Sequence, residues 1–486
     1  MLRKSVRPEI AWTLGLLAVV AILAVRLWLL TQSEADLFVD ESQYWLWGQE
    51  LAFGYYSKPP LIGWVIRAST ELGEISAFWV RAPAIVFHGI SAVILMLAAR
   101  QFTNATAAVL TGLAYLTVPG VVVGSLLIST DTILMPFYAV ALALYIRLLD
   151  HPSRVTAIFM GVALGLAFMA KYAAIYFLIS AFLVHVFHPT LRLRVAEAAL
   201  ALVACLITVS PNLVWNVMND LSTWEHTLDN VDWVRPSDEP RLLNLFDRNG
   251  MIEFFLTQFA VFGPILFFVY LSLFWDSLRR GTPTTKLLVW FSAAPILMIC
   301  LQALLSRAYG NWAAPAYVAA SLLVVPWLLE NRPRLLLASF VVNGIIAVGL
   351  PLATTQARTL QFEEDRLVFE RYVGRADMSA YIGLTARQNN LTAIVSDNRD
   401  LLADLFYRKE QLDMEIYAIP PRNRAQNHYA LKFPRPTPFP NEYLFVARQG
   451  RVPPCDAVIR ELGRITPERG AYRGDTFVLS RVPAGC

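Results

Sequence analysis

The sequence predicts a polytopic α-helical membrane protein of about eleven transmembrane helices, followed by a small C-terminal α/β domain. Three observations carry that expectation. The 486 residues are 56% hydrophobic and only 16% charged, where a soluble domain of ordinary composition carries about 25% charged residues. Apolar runs of roughly 20 residues recur through residues 1–353, the length a helix needs to cross a bilayer. From residue 354 onward, charge runs ("FEEDRLVFERYVGR") and proline clusters ("FPRPTPFP") replace them.

The first span follows from "MLRKSVRPEIAWTLGLLAVVAILAVRLWLL". Its apolar run exceeds the core of about 7–15 residues found in a cleaved signal peptide, so it reads as an uncleaved helix with its basic end in the cytoplasm. Further spans are expected near 81–100, 105–124, 132–149, 155–170, 173–188, 195–211, 251–275, 286–304, 312–329 and 334–352. The connections left on the cytoplasmic side are residues 100–104, "RLLDHPSR", "HPTLRLR", "DSLRRGTPTTK" and "ENRPR". All are short and carry arginine or lysine, as the positive-inside rule requires. The opposite side then receives the loops 31–80 and 212–250, the turns at Asp131 and at Lys171–Tyr172, "SRAYGNW", and the tail. Domain 1–353 is therefore the membrane domain and 354–486 an outward soluble one.

Within the tail, "TAIVSDNRDLLADLFYRK" reads as a buried strand, a capping turn and an amphipathic helix. "MEIYAI", "YLFVAR" and "DTFVLSRV" read as further strands. Cys205 and Cys300 lie in apolar runs as packing residues. Cys455 and Cys486 lie in the outward tail, where an oxidising compartment favours their pairing. No cysteine or histidine spacing resembles a zinc site. The net charge of +4 is scattered in short clusters, which excludes a nucleic-acid partner.

Chemistry concentrates in the first outward loop, "VDESQYWLWGQELAFGYYSKPPLIGWVIR". Asp40 and Glu41 open a helix expected to lie in the membrane interface, with Tyr44, Trp45 and Trp47 at headgroup depth. "GYYSKPPL" turns the chain, because a double proline cannot continue a helix. Each feature has a plain structural reading: an acidic helix cap, an N-cap at Asp131, a snorkelling anchor at Lys171. Their company on one face favours a site. Lys58, Arg81, Lys171 and Arg307 are cations on the side the positive-inside rule disfavours, and an anionic ligand at the outer membrane surface accounts for them. A polyprenyl-phosphate sugar has that form. Moving its sugar to a hydroxyl needs a carboxylate to take the proton and cations to steady the departing phosphate.

The same loop, together with "RAPAIVFHGI", "STDTILMPFYAVALAL", "LGLAFMAKYAA", "PNLVWNVMNDLSTWEHTLDN" and "SRAYGNWAAPAYVAA", resembles a bacterial family. These are the GT-C-type glycosyltransferases related to protein O-mannosyltransferases and to the lipid A aminoarabinose and galacturonic acid transferases. The resemblance implies the GT-C fold and an inverting transfer from a polyprenyl-phosphate sugar to a lipopolysaccharide or other envelope-glycan acceptor. It places the chain in an inner membrane with the active site and tail in the periplasm. It assigns Asp40 to the reaction centre with Glu41 as rival, Asp131 to the second outward acid, and Lys58 and Arg81 to the donor phosphate; the outward position of Lys171 and Arg307 adds those two cations. Tyr44, Tyr55, Tyr56, Tyr172 and His226 are the candidates to line the acceptor pocket. Ser57 stands where the aminoarabinose enzymes carry a glutamate able to join a metal site, which speaks against a tightly held divalent metal, leaves a loosely held one open and names no certain cofactor. Transfer to a protein serine or threonine is the alternative within enzymes. A flippase for a lipid-linked sugar is the alternative outside them, although the acids lie at span ends and no internal repeat is visible.

Overall fold

The computed structural model describes residues 7–221, 223, 246–363, 366–421, 424–453, 455 and 458–486. Two compact units make up the chain. The first contains residues 1–28, 52–65 and 81–351; the second contains 29–51, 66–80 and 352–486.

The first unit is helical. Among the described residues six helices are long and apolar enough to cross a membrane: Pro8–Thr31, Ala77–Arg100, Thr130–Asp150, Val195–Met218, Pro283–Leu305 and Pro333–Thr354. Shorter apolar helices cover Arg154–Ala170, Tyr172–Phe187 and Ala316–Asn331. Side-chain caps start several of them. Asn104 accepts from Ala107 N, Ser129 from Thr132 N, Ser153 from Thr156 N and Thr282 from Thr285 N, which satisfies donors the first turn leaves open. Small residues let helices approach closely. A Cβ on Gly165 would lie 2.5 Å from Thr208 Cβ, so helices Arg154–Ala170 and Val195–Met218 meet backbone to backbone, as membrane helices do at small residues. The outer faces of Val195–Met218 and Pro333–Thr354 remain apolar and exposed, with Ile207, Val217, Val341 and Ile345 among them; only lipid suits such faces.

Two predicted spans are bent. Residues 105–124 become Ala105–Thr117 and Pro119–Leu126, turned by 59° at Val118, because Pro119 has no N–H to continue the ladder. Residues 251–275, expected as one span, become Arg248–Phe262 and Pro264–Arg280, turned by 116°. Gly263 makes that turn at φ +95°, a conformation that favours glycine.

The second unit is built on a five-stranded sheet. With β1 (Gln361–Glu363) and β2 (Arg366–Leu367) forming a separate short ladder, the sheet strands are β3 (Ala393–Ser396), β4 (Glu415–Ala418), β5 (Tyr443–Arg448), β6 (Arg460–Ile465) and β7 (Phe477–Val482). Their order is β4-β3-β5-β7-β6. β3 runs parallel to both neighbours, and β7 antiparallel to β5 and β6. Ile394, Leu444, Val446 and Leu479 face one core with Ile382, Leu402, Leu405 and Phe406 from helices Arg375–Gln388 and Arg399–Tyr407. Ala393, Val395, Tyr443, Phe445 and Val482 face another with Phe439. Both faces of the central strands are thus covered, as parallel strands require. Sequence reading overlooks β6, whose charged, half-exposed residues lack an apolar alternation.

One expectation about the first loop is corrected here. The aromatics of helix Val39–Gln49, expected at headgroup depth, are instead packed inside the second unit. Trp47 is 1% exposed, and Val39 belongs to the tail's own core. Trp45 packs edge-on against Tyr407 (5.0 Å between ring centres) and Trp47 against His428 (5.8 Å). Asp36, just before this helix, accepts hydrogen bonds from Arg375 N (2.9 Å) and Ala376 N (3.3 Å). It thereby serves helix Arg375–Gln388 as a cap supplied from hundreds of residues away. Residues 29–51 and 66–80 therefore belong to the same unit as the tail, where the sequence boundary had grouped them with the membrane domain. Cys455 and Cys486 are disulfide-bonded, with their Cα atoms 5.5 Å apart.

Candidate active site

The predicted site residues fall into two groups, one in each unit. In the first unit, Ser129 caps helix Thr130–Asp150 and Thr132 Oγ1 donates to Gly124 O at 3.0 Å. This fixes Asp131 in the first turn, where the helix dipole favours a carboxylate. Lys171 is the extended residue that breaks two apolar helices, at φ −160° and ψ 136°. Its Nζ donates to Asp131 Oδ1 at 2.7 Å and Oδ2 at 2.8 Å, and Asn311 Nδ2 donates to Oδ2 at 2.9 Å. The pair is largely buried, with side-chain exposures of 18% and 12%. Three hydrogen bonds from two donor groups hold the Asp131 carboxylate in place. Its two bonds to Lys171 use two of the three N–H bonds of an ammonium.

The next residue anchors the first loop. Tyr172 Oη donates to Asn212 Oδ1 (2.8 Å) and accepts from Asn216 Nδ2 (3.1 Å). Asn212 Nδ2 donates to the carbonyl of Phe53 (2.7 Å), and Thr223 Oγ1 to that of Tyr55 (2.7 Å). Tyr55 N in turn donates to Lys58 O at 3.1 Å. Gly54 lies flat on the Trp215 ring, which a Cβ would strike. The turn carrying Lys58 is thus pinned to the helices. Tyr55, Tyr56 and Ser57 are buried, Lys58 is half-buried, Arg81 is 1% exposed and Arg307 is exposed. Asn212, Asn216 and Asn311 escape the sequence reading. The signal was two asparagines four residues apart in an apolar run, where a buried amide needs a partner. His226 lies outside the described residues.

In the second unit the two adjacent acids separate, as successive helical residues must. Glu41 is 2% exposed, and its Oε2 accepts from Phe38 N at 2.9 Å, closing its own helix as a capping carboxylate. Asp40 stays half-exposed, and its Oδ1 accepts from Arg399 Nη2 at 2.5 Å. Gln43 Oε1, one turn on, accepts from Arg399 Nε (3.1 Å) and Nη2 (3.0 Å). Burial alone would lower the pKa of Arg399, but the charge and hydrogen bond of Asp40 leave it raised. Tyr44 is buried and packed on Trp47 at 5.2 Å. No group of three or more His, Cys, Asp or Glu side chains among the described residues is placed to hold a metal ion.

Comparisons with known proteins place the chain in a family. Residues 57–215 fit the family described as dolichyl-phosphate-mannose-protein mannosyltransferase. Over 475 residues, 97% of this chain and 98% of the relative, the chain is 37% identical to the lipid A galacturonosyltransferase RgtD of Rhizobium johnstonii. It is 28% identical over 217 residues to the lipopolysaccharide core galacturonosyltransferase RgtB of the same organism, covering 44% of this chain and 43% of that one. The crystal structure of ArnT from Cupriavidus metallidurans shares the fold, with a TM-score of 0.64 at 14% identity, covering 97% and 98% of the two chains. The form of ArnT bound to undecaprenyl phosphate gives 0.64 at 15% identity, covering 95% and 97%. These likenesses set the flippase alternative aside. The chain belongs to the GT-C-type membrane glycosyltransferases that include the lipid A galacturonosyltransferases.

Proposed function

We propose that this glycosyltransferase moves galacturonic acid from a polyprenyl-phosphate carrier to lipid A on the periplasmic face of an inner membrane. The likeness to RgtD over 97% of the chain carries this reading. The mannosyltransferase family model, by contrast, stops at residues 57–215. That stretch holds Lys58, Arg81 and Lys171, three of the residues assigned to the donor phosphate, so it speaks for the carrier rather than for a protein acceptor. ArnT, of the same fold, holds undecaprenyl phosphate in one of its structures.

The orientation has its own support. Each of the eleven predicted spans coincides with a long apolar helix, a bent pair or a shorter apolar helix. Eleven crossings that begin in the cytoplasm end in the periplasm, which would put the tail and the first loop on one side.

In the proposed reaction the acceptor oxygen attacks the anomeric carbon opposite the phosphate, and the configuration inverts. The bond from that carbon to the phosphate oxygen breaks, and polyprenyl phosphate leaves with the bonding electrons. Lys58, Lys171 and Arg307 steady its charge, and Arg81 adds a positive charge from a buried position. Asp40 takes the proton when the acceptor is a hydroxyl. Asp131, with both oxygens engaged by Lys171 and Asn311, orients the lysine rather than receiving a proton. Mass spectrometry of lipid A from a deletion strain and its parent tests the reading. Loss of a hexuronic acid from lipid A is expected; an unchanged lipid A with a changed protein or core glycan would overturn it.

A further inference from the structure

The tail contains the arrangement in which open α/β sheets place ligand-binding groups. β3 lies between β4 and β5, which its two following connections reach in opposite directions. The crevice beyond the carboxyl end of such a strand is the usual ligand site of this sheet type. Here Ser396 ends β3, its Oγ donating to Val446 O (2.7 Å) and accepting from Asn398 N (3.1 Å). Asn398 then caps the next helix through Asp400 N (2.8 Å) and Leu401 N (3.2 Å). Arg399 is the first residue of that helix, so cap and strand end together fix where its side chain starts. Its guanidinium faces helix Val39–Gln49. It holds Asp40 at 2.5 Å and Gln43 at 3.0 and 3.1 Å, both on helix Val39–Gln49.

We propose that Arg399 is a positioning residue for sugar transfer: it holds one oxygen of the Asp40 carboxylate so that the other is aimed at the acceptor. This rests on Asp40 being the base of the proposed reaction. The geometry suits the task. A guanidinium offers its N–H bonds in a rigid plane, and Gln43 fixes that plane by accepting from two nitrogens. Asp40 is itself 46% exposed, and without a partner its carboxylate would rotate among orientations in water. A reacting group misplaced by about 1 Å can cost about 10²-fold in rate. The tail thereby supplies the group that orients the proposed base.

The test uses the purified full-length protein, with polyprenyl-phosphate galacturonate as donor and lipid A as acceptor. Arg399→Met is expected to lower kcat by about 10²-fold with the donor KM unchanged, and Arg399→Lys to recover part of the loss. Asp40→Asn combined with Arg399→Met is expected to be no worse than Asp40→Asn alone, because the arginine acts only through that carboxylate. Losses that multiply in the double variant would place Arg399 on the substrate and overturn the proposal. So would wild-type kcat in Arg399→Met beside an inactive Asp40→Asn. Full activity of Asp40→Asn is a different failure, one of the base itself. Should Arg399→Met aggregate, Gln43→Met decides. It removes the 3.0 and 3.1 Å bonds but keeps both charges; a fall in kcat at constant donor KM supports the role, and wild-type kcat refutes it.

Discussion

Lys171 Nζ bridges both oxygens of Asp131, at 2.7 and 2.8 Å, across forty residues of sequence. Most of the pair is hidden from solvent. Breaking a buried pair by removing one partner typically costs about 3–5 kcal/mol, whereas removing both together costs far less. Lys171→Met and Asp131→Leu should each lower the thermal unfolding temperature in detergent, and the double variant should recover much of that loss. Additive losses in the double variant would mean that the two side chains are energetically independent.

Asp40→Asn separates two kinds of acceptor. A carboxylate base is worth about 10²–10⁴-fold when a hydroxyl proton must leave, so transfer to a hydroxyl should fall by that range while donor binding persists. A phosphate acceptor arrives ionised, and the loss should then be milder. Glu41→Gln should act mainly on folding, since that carboxylate closes its own helix through Phe38 N. An inactive but well-folded Glu41→Gln beside an active Asp40→Asn would reverse the two roles.

His428 sets an acid limit on the tail. Burial, with Lys432 and Arg399 adding to it, pushes its pKa down to about 3 from 6.5. Its Nδ1 has no hydrogen-bond partner among the described residues, and its ring packs against Trp47. The folded state therefore binds the proton less well than the unfolded chain. The stability this neutral ring contributes is complete above pH 6.5 and is lost progressively as the pH falls toward 3. Replacing His428 with Phe should flatten the decline of the unfolding temperature over that window; an identical decline would show that other groups cause it.

The Cys455–Cys486 disulfide closes a separation of 31 residues, worth about 3–4 kcal/mol by loop-closure entropy. Thiol labelling of the unfolded, unreduced protein should leave both positions unmodified. Labelling at both would show that the bond does not form in the cell.

The sequence alone determined where the apolar segments lie, because spanning a bilayer depends on local composition over about 20 residues. Every segment read that way lies on a helix or a bent pair. Local signals also located β3, its capping turn and the following helix, since a short apolar run, the Asn398 cap and the helix's apolar face act over only a few positions. What only the tertiary structure decided is which charges meet. Lys171, read as a phosphate cation, meets Asp131, and Asp40 meets Arg399 across 359 residues. Helix Val39–Gln49 reads as an interfacial helix because Tyr44, Trp45 and Trp47 suit headgroups and protein cores equally well. The choice between the two is made by the surface available, here His428, Tyr407 and the core around Phe406. The physical reason is range. Propensity and hydropathy are set by neighbours in the chain, while burial and ion pairing are set by whatever the completed fold brings alongside.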